Sequence, residues 1–89
     1  MKIGGVSGWL QAAALAEAAG LPLSTHLFPE VSVHLMAATP TRHWLEYVDW
    51  ASPVLAEPVR VRDGKVSVPD RAGTGIEWDE AAVARCLAP

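Results

Sequence analysis

The sequence predicts an α/β fold over its first half, followed by an antiparallel hairpin and a terminal helix. Two observations carry this expectation. Short apolar segments alternate with helical segments over short loops for about fifty residues, the order that a parallel sheet with crossover helices needs. After Ser52 the chain changes character: "EPVRVRDGKVSVPD" reads as two alternating strands joined by Asp63-Gly64, the strongest short-range hairpin signal. The chain is therefore divided into an α/β unit over residues 1–52 and a hairpin-plus-helix unit over residues 53–89.

Each element follows from local chemistry. Met1 to Ile3 reads as the tail of a strand, and "GGVSG" follows it directly. Ser7 is placed to N-cap a first helix, "GWLQAAALAEAA", which is rich in alanine, the best helix former, and Gly20 is the expected residue just past its end. "LPLSTH" reads as a strand that ends near His26, with Leu21 and Leu23 on one side, and "FPE" breaks it. A second helix is predicted from Pro29 or Glu30 through Ala38, stopped by Pro40. "HWLEYV" supplies the bulky and β-branched residues of the next strand. Asp79 is placed to cap a last helix over "EAAVARCLA".

Composition limits the function classes. At 89 residues the chain is at most one small domain, and such a chain buries only about 60% of its unfolded surface. Yet 51% of its residues are hydrophobic, 19% are charged and the mean hydropathy is +0.19. That balance suits a piece covered on several sides, either a fragment or an obligate assembler. A net charge of −3 and a pI near 5.4 give no electrostatic footprint for nucleic acid or for an anionic membrane surface. The single cysteine, Cys86, builds neither a disulfide framework nor a thiolate metal cluster. No apolar run approaches the ~20 residues of a membrane span, and "MKIGGVSGW" lacks the apolar core of a signal peptide. A soluble cytoplasmic protein is the expectation.

His26 and Glu46 are the residues whose placement invites chemistry. In a parallel strand-helix-strand unit both strands point the same way, so side chains at their ends emerge on the carboxyl-end face where α/β folds bind ligands. A spacing of twenty is what one such repeat needs. Histidine is suited to general-base work near neutral pH, and a protonated carboxyl can donate a hydrogen bond. The structural alternative is a histidine satisfied by backbone groups and a glutamate bonding a neighbouring loop. His34 falls inside the second helix and reads as a packed or half-exposed core residue, and His43, beside Arg42 in a turn, as a surface or loop-anchoring residue. Trp9, Trp44, Trp50 and Trp78 read as core and interface anchors. "GGVSG" lacks both the G-x-G-x-x-G order and the Walker lysine of a phosphate loop. Cys86 has no histidine near it in sequence.

Taken together, "KIGGVSGW", "STHLFPEVSVHLMAATP", "HWLEYVDW", "AEPV" and "PDRAGTGIEWDE" resemble the C-terminal part of mandelate racemase and its relatives in the enolase superfamily. The resemblance runs over essentially all 89 residues, with its motifs in order at matching spacings. It implies a C-terminal fragment of a (β/α) barrel, the last two to three strands with their helices, followed by a hairpin and helix that return to a capping domain. It implies that His26 is a base at the end of the seventh strand, removing or returning the proton α to a carboxylate. It implies that Glu46, at the end of the eighth, hydrogen-bonds the substrate carboxylate as an enediolate forms. Leu27 and Val48 correspond to positions that help wall the substrate pocket.

The same resemblance implies what lies elsewhere. The family's magnesium-binding carboxylates belong to its third to fifth strands and its second base, a lysine, to the second. The aspartate that orients the histidine ends the sixth strand, just before the position of Met1. The expected activity is thus that of a magnesium-dependent racemase or acid-sugar dehydratase acting on a hydroxy acid or acid sugar. The isolated chain is expected to be inert and to associate with another copy or with the missing N-terminal part. The alternative is a non-catalytic truncated or split-gene product that serves as an oligomerising or assembly partner.

Overall fold

The computed structural model describes residues 2–88. Among them run α1 (Gly5–Ala19), α2 (Pro29–Ala37), a 3-10 turn (Ser52–Val54) and α3 (Glu80–Cys86). Extended segments join these elements and pair through isolated bridges: Leu23 with Arg42 in parallel, Leu55 with Trp78 and Arg62 with Lys65 antiparallel.

The ends of α1 show where local rules decided and where they were overridden. Gly20 adopts φ 65°, its N–H donates to Glu17 O (3.0 Å), and the Leu21 N–H donates to Ala16 O (2.8 Å). This is a Schellman closure, which favours glycine because no Cβ opposes the left-handed backbone. The start differs from the expectation. Ser7 is not the cap; Gly4, at φ 87°, takes that place with no side-chain hydrogen bond, and the helix begins at Gly5. The strand tail expected up to Ile3 is also absent over the described residues: Lys2 to Gly4 form a turn, and Met1 lies outside them. The turn folds back so closely that a Cβ on Gly8 would overlap the Ile3 carbonyl.

α2 starts at Pro29, whose fixed φ suits a first helical position, and ends at Ala37, one residue earlier than expected. α1 packs against α2 around Trp9, Ala13, Leu35 and Met36, with Leu23, Val31 and Leu45 covering the cluster. A buried polar relay crosses this core: the Trp9 indole N–H donates to Thr39 Oγ1 (2.9 Å), whose hydroxyl donates to Leu35 O (2.7 Å). Of the four tryptophans, Trp9 alone is a core residue, whereas Trp44, Trp50 and Trp78 are more than half exposed. A core this thin has no further interior face to receive them.

In the second half, Arg62 and Lys65 exchange both backbone hydrogen bonds (2.8 and 2.9 Å) around Asp63 (φ 51°) and Gly64 (φ 70°). Two successive positive φ values mark the mirror-image turn that matches strand twist. The pairing beyond that bridge is not continued, so the expected pair of alternating strands is reduced to its tip. Asp79 caps α3 as expected, its Oδ1 accepting the Ala82 N–H at 2.9 Å. The helix stops at Cys86, before Leu87 and Ala88. Ala82 is buried where α3 meets the 3-10 turn.

The radius of gyration is 14.7 Å and the extents are 49 × 30 × 23 Å. A compact domain of this length would have a radius near 12 Å. Ile3, Leu10, Leu15, Leu21 and Phe28 stay substantially exposed beside the tryptophans, so much apolar surface is left uncovered.

Candidate active site

His26 and Glu46 meet because the two parallel segments change register between them. Leu23 N–H donates to Thr41 O and His43 N–H to Leu23 O (both 2.9 Å), which sets Leu23 opposite Arg42, nineteen positions on. Thr25 N–H donates to Trp44 O at 2.9 Å and the Glu46 N–H to Thr25 Oγ1 at 3.1 Å. Thr25 therefore sits opposite Leu45, twenty positions on. One segment advances two residues while its partner advances three, which is a bulge around His43 and Trp44. The rings of these two neighbours lie on one side, 4.8 Å apart, as alternation in a regular strand would not allow. His43 thus belongs to the paired segment, exposed, and not to a turn.

The shift decides which side chains share a face. In the register of Leu23 and Arg42, His26 would stand opposite Leu45. After the bulge it stands opposite Glu46. The two side chains approach to 3.8 Å between His26 Nε2 and Glu46 Oε2. The Ser24 and Thr25 hydroxyls hold the irregular backbone: Ser24 Oγ accepts the Trp44 N–H (3.1 Å) and Thr25 Oγ1 that of Glu46. Neither hydroxyl was singled out from the sequence, although paired hydroxyl residues immediately before the histidine were the available signal.

Glu46 has two relationships. Its Oε2 accepts the Leu27 N–H at 2.8 Å, so the carboxylate does bond a neighbouring loop, the structural alternative named above. The same oxygen faces His26, and the side chain remains 44% exposed. His26 is 83% exposed. The loop between them is unusual: Leu27 and Phe28 both adopt left-handed backbone (φ 62° and 50°), and Phe28 also precedes a proline. Non-glycine residues in that region carry strain of about 1–3 kcal/mol each and persist only where neighbours over-determine them.

Val48 lines a cleft of about 140 Å³ beside Phe28, Pro29, Glu30, Trp50 and Ala51; Leu27, half-buried, is not among its walls. Ordinary ligand sites occupy ~300–1,000 Å³, so this cleft is too small to be one by itself. Two larger open grooves include neither His26 nor Glu46: one of about 810 Å³ along the hairpin, and one of about 740 Å³ between the hairpin, α2 and the segment that carries Leu45 and Tyr47. His34, half-buried as expected, places Nε2 2.7 Å from Thr74 O and ties α2 to the Gly73–Gly75 turn. Cys86 is exposed and free. Among the described residues no helix is long and apolar enough to cross a membrane.

Residues 1–82 match the model of the family described as enolase C-terminal domain-like. The chain belongs to this family. It is 38% identical over 81 residues to L-talarate/galactarate dehydratase of Salmonella typhimurium, an alignment that covers 91% of the chain and 20% of the dehydratase. A magnesium-bound enolase structure from the alphaproteobacterium bal199 superposes with a TM-score of 0.87 at 55% identity, covering 93% of this chain and 23% of that one. A Bradyrhizobium enolase complexed with magnesium and mandelic acid superposes with a TM-score of 0.85 at 49% identity, covering 92% and 22%. The chain thus spans about a fifth of the length of these relatives.

Magnesium is present in those relatives, and the donor set can be tested here. Among the described residues no three His, Cys, Asp or Glu side chains gather where an ion could be held. Magnesium requires a near-octahedral set of oxygens, usually with carboxylates among them. Glu46, already committed to the Leu27 amide, is not such a set. The described residues of this enolase-family chain do not by themselves fit a magnesium site.

Proposed function

We propose that this enolase-family chain contributes the proton-transfer base and the carboxylate-binding acid of a racemase or acid-sugar dehydratase. The observation that carries the reading is the 3.8 Å approach of His26 Nε2 to Glu46 Oε2 at one end of the parallel pair. His26, exposed at that edge, takes the proton from the carbon α to a substrate carboxylate. The C–H electron pair moves into the carboxylate as an enediolate. Glu46 is placed to stabilise that charge: Oε2 accepts the Leu27 N–H, which leaves Oε1 as the oxygen that, when it carries a proton, donates to the substrate carboxylate. Such a bond strengthens as charge develops, which is the condition for lowering the barrier. Delivery of a proton to the opposite face of the carbon, by a group outside this chain, gives racemisation; departure of a β-hydroxyl as water, taking up the proton that His26 removed, gives dehydration. Both share the first step.

The substrate class, a hydroxy acid or acid sugar, is supported by the relatives: the Salmonella enzyme is named for L-talarate and galactarate, and the Bradyrhizobium structure holds mandelic acid. Leu27 and Val48 are assigned to the pocket wall, Val48 through the small cleft it already lines. The magnesium and the groups that act on the opposite face of the substrate are assigned to residues outside this chain, so the chain alone is inert. The exposed apolar side chains and the radius of gyration support association with a complementary polypeptide or a second copy.

The test is a graft. Residues 1–82 replace the homologous segment of the Salmonella dehydratase, and L-talarate dehydration is assayed beside the free 89-residue chain. Turnover by the folded graft with none from the chain alone is expected. A folded graft that binds substrate but never turns over, or turnover by the free chain, overturns the reading.

A further inference from the structure

The residue that follows His26 is gripped from both sides. Glu46 Oε2 accepts the Leu27 N–H at 2.8 Å, and the Ser32 hydroxyl donates to Leu27 O at 2.7 Å. Ser32 is 1% exposed, among the most buried side chains of the molecule, and it sits in the first turn of α2. A serine there commonly serves the helix backbone of its own terminus. This one instead reaches back to the carbonyl of Leu27, a residue held at φ 62°. The next residue, Phe28, is also left-handed, and its carbonyl accepts the Val31 and Ser32 N–H groups (3.1 and 2.8 Å).

We propose that Ser32 is a positioning residue for His26. The geometry supports this in two steps. The Leu27 N–H belongs to the peptide plane that also carries the His26 carbonyl, so the bond to Glu46 fixes the backbone rotation of His26. That bond is made with Leu27 in a left-handed conformation, which is unfavourable for an L-residue. Ser32 supplies the opposing anchor: with the Leu27 carbonyl held to a buried hydroxyl on a rigid helix, the next peptide plane cannot turn. Remove the hydroxyl, and the Leu27–Phe28 segment relaxes towards negative φ, releasing Glu46 Oε2 and swinging His26. The proposal rests on the reading of His26 as a base for its functional meaning. Its structural content stands without it.

The experiment is amide hydrogen exchange by NMR on the 89-residue chain, comparing the unsubstituted protein with Ser32→Ala. In the unsubstituted chain the Leu27 amide is expected to be protected relative to an unstructured peptide. In Ser32→Ala it is expected to exchange at least about tenfold faster, with a shift of the His26 ring resonances, while the Leu35 and Met36 amides keep their rates. In a Leu27→Gly background, where the left-handed backbone carries no Cβ penalty, the same change is expected to have a smaller effect. Three results overturn the proposal: an unprotected Leu27 amide at the outset, no acceleration in Ser32→Ala, or equal acceleration throughout α2, which marks Ser32 as a helix-packing residue only. Because the readout is exchange and not turnover, failure of the catalytic reading leaves this result untouched.

Discussion

Thr25 accepts the Glu46 amide on its hydroxyl and not on its backbone carbonyl, at 3.1 Å, and this one bond records the register shift that sets Glu46 opposite His26. An active-site pair on adjacent parallel strands needs both residues on one face. A uniform register beginning at Leu23 and Arg42 would have opposed His26 to Leu45. The bulge supplies the extra residue, and the Ser24 and Thr25 hydroxyls satisfy the amide groups it displaces.

Thr25→Val tests this directly. The substitution keeps the branched shape but removes the acceptor, and the side chain is buried. Leaving the Glu46 N–H without its partner is expected to cost about 1–3 kcal/mol, read as a lower denaturant midpoint. Ser24→Ala, at an exposed site, is expected to cost less. Equal and negligible effects would show that the hydroxyls do not hold the bulge.

The relay through the helix–helix core gives a second expectation. Thr39→Val removes the acceptor of the Trp9 indole in a fully buried position. Stability is expected to fall by about 1–3 kcal/mol, and by more than for Thr41→Val, whose hydroxyl has no hydrogen-bond partner among the described residues. Thermal unfolding of the two variants side by side measures the difference.

At the far end of the chain, Asp79→Ala removes the side-chain cap of a short helix. A loss of about 1 kcal/mol is expected. Hydrogen exchange should quicken at the Ala82 amide, which loses its acceptor, and leave α1 unaffected.

How much of this was legible in the sequence differs by element. Helices α1 and α2 and the cap at Asp79 followed from alanine content, Pro29, Gly20 and a capping residue, because these act within a few positions. The Asp63-Gly64 turn was legible for the same reason. The start of α1 was misplaced because Gly4 and Gly5 adopt positive φ and begin the helix before the better capping side chain of Ser7 is reached. Exposure of Trp44, Trp50 and Trp78 was not legible, since residue type reports a preference for burial and not whether a face exists to bury it. For the candidate site, spacing made His26 and Glu46 a permissible pair. The bulge, the left-handed Leu27–Phe28 segment and the Ser32 anchor depend on contacts between distant residues, which spacing does not encode.

The most direct measurement of the central claim is solvent-deuterium exchange at the α-carbon of a 2-hydroxy acid, followed by proton NMR in D2O with the grafted enzyme. His26→Asn, which removes the proposed base, is expected to lower the exchange rate by about 10²–10⁴-fold, the range for loss of a positioned general base. Glu46→Gln, which keeps a hydrogen-bond donor but changes its strength, is expected to lower it less. Exchange in His26→Asn at the rate of the unsubstituted graft would contradict the account.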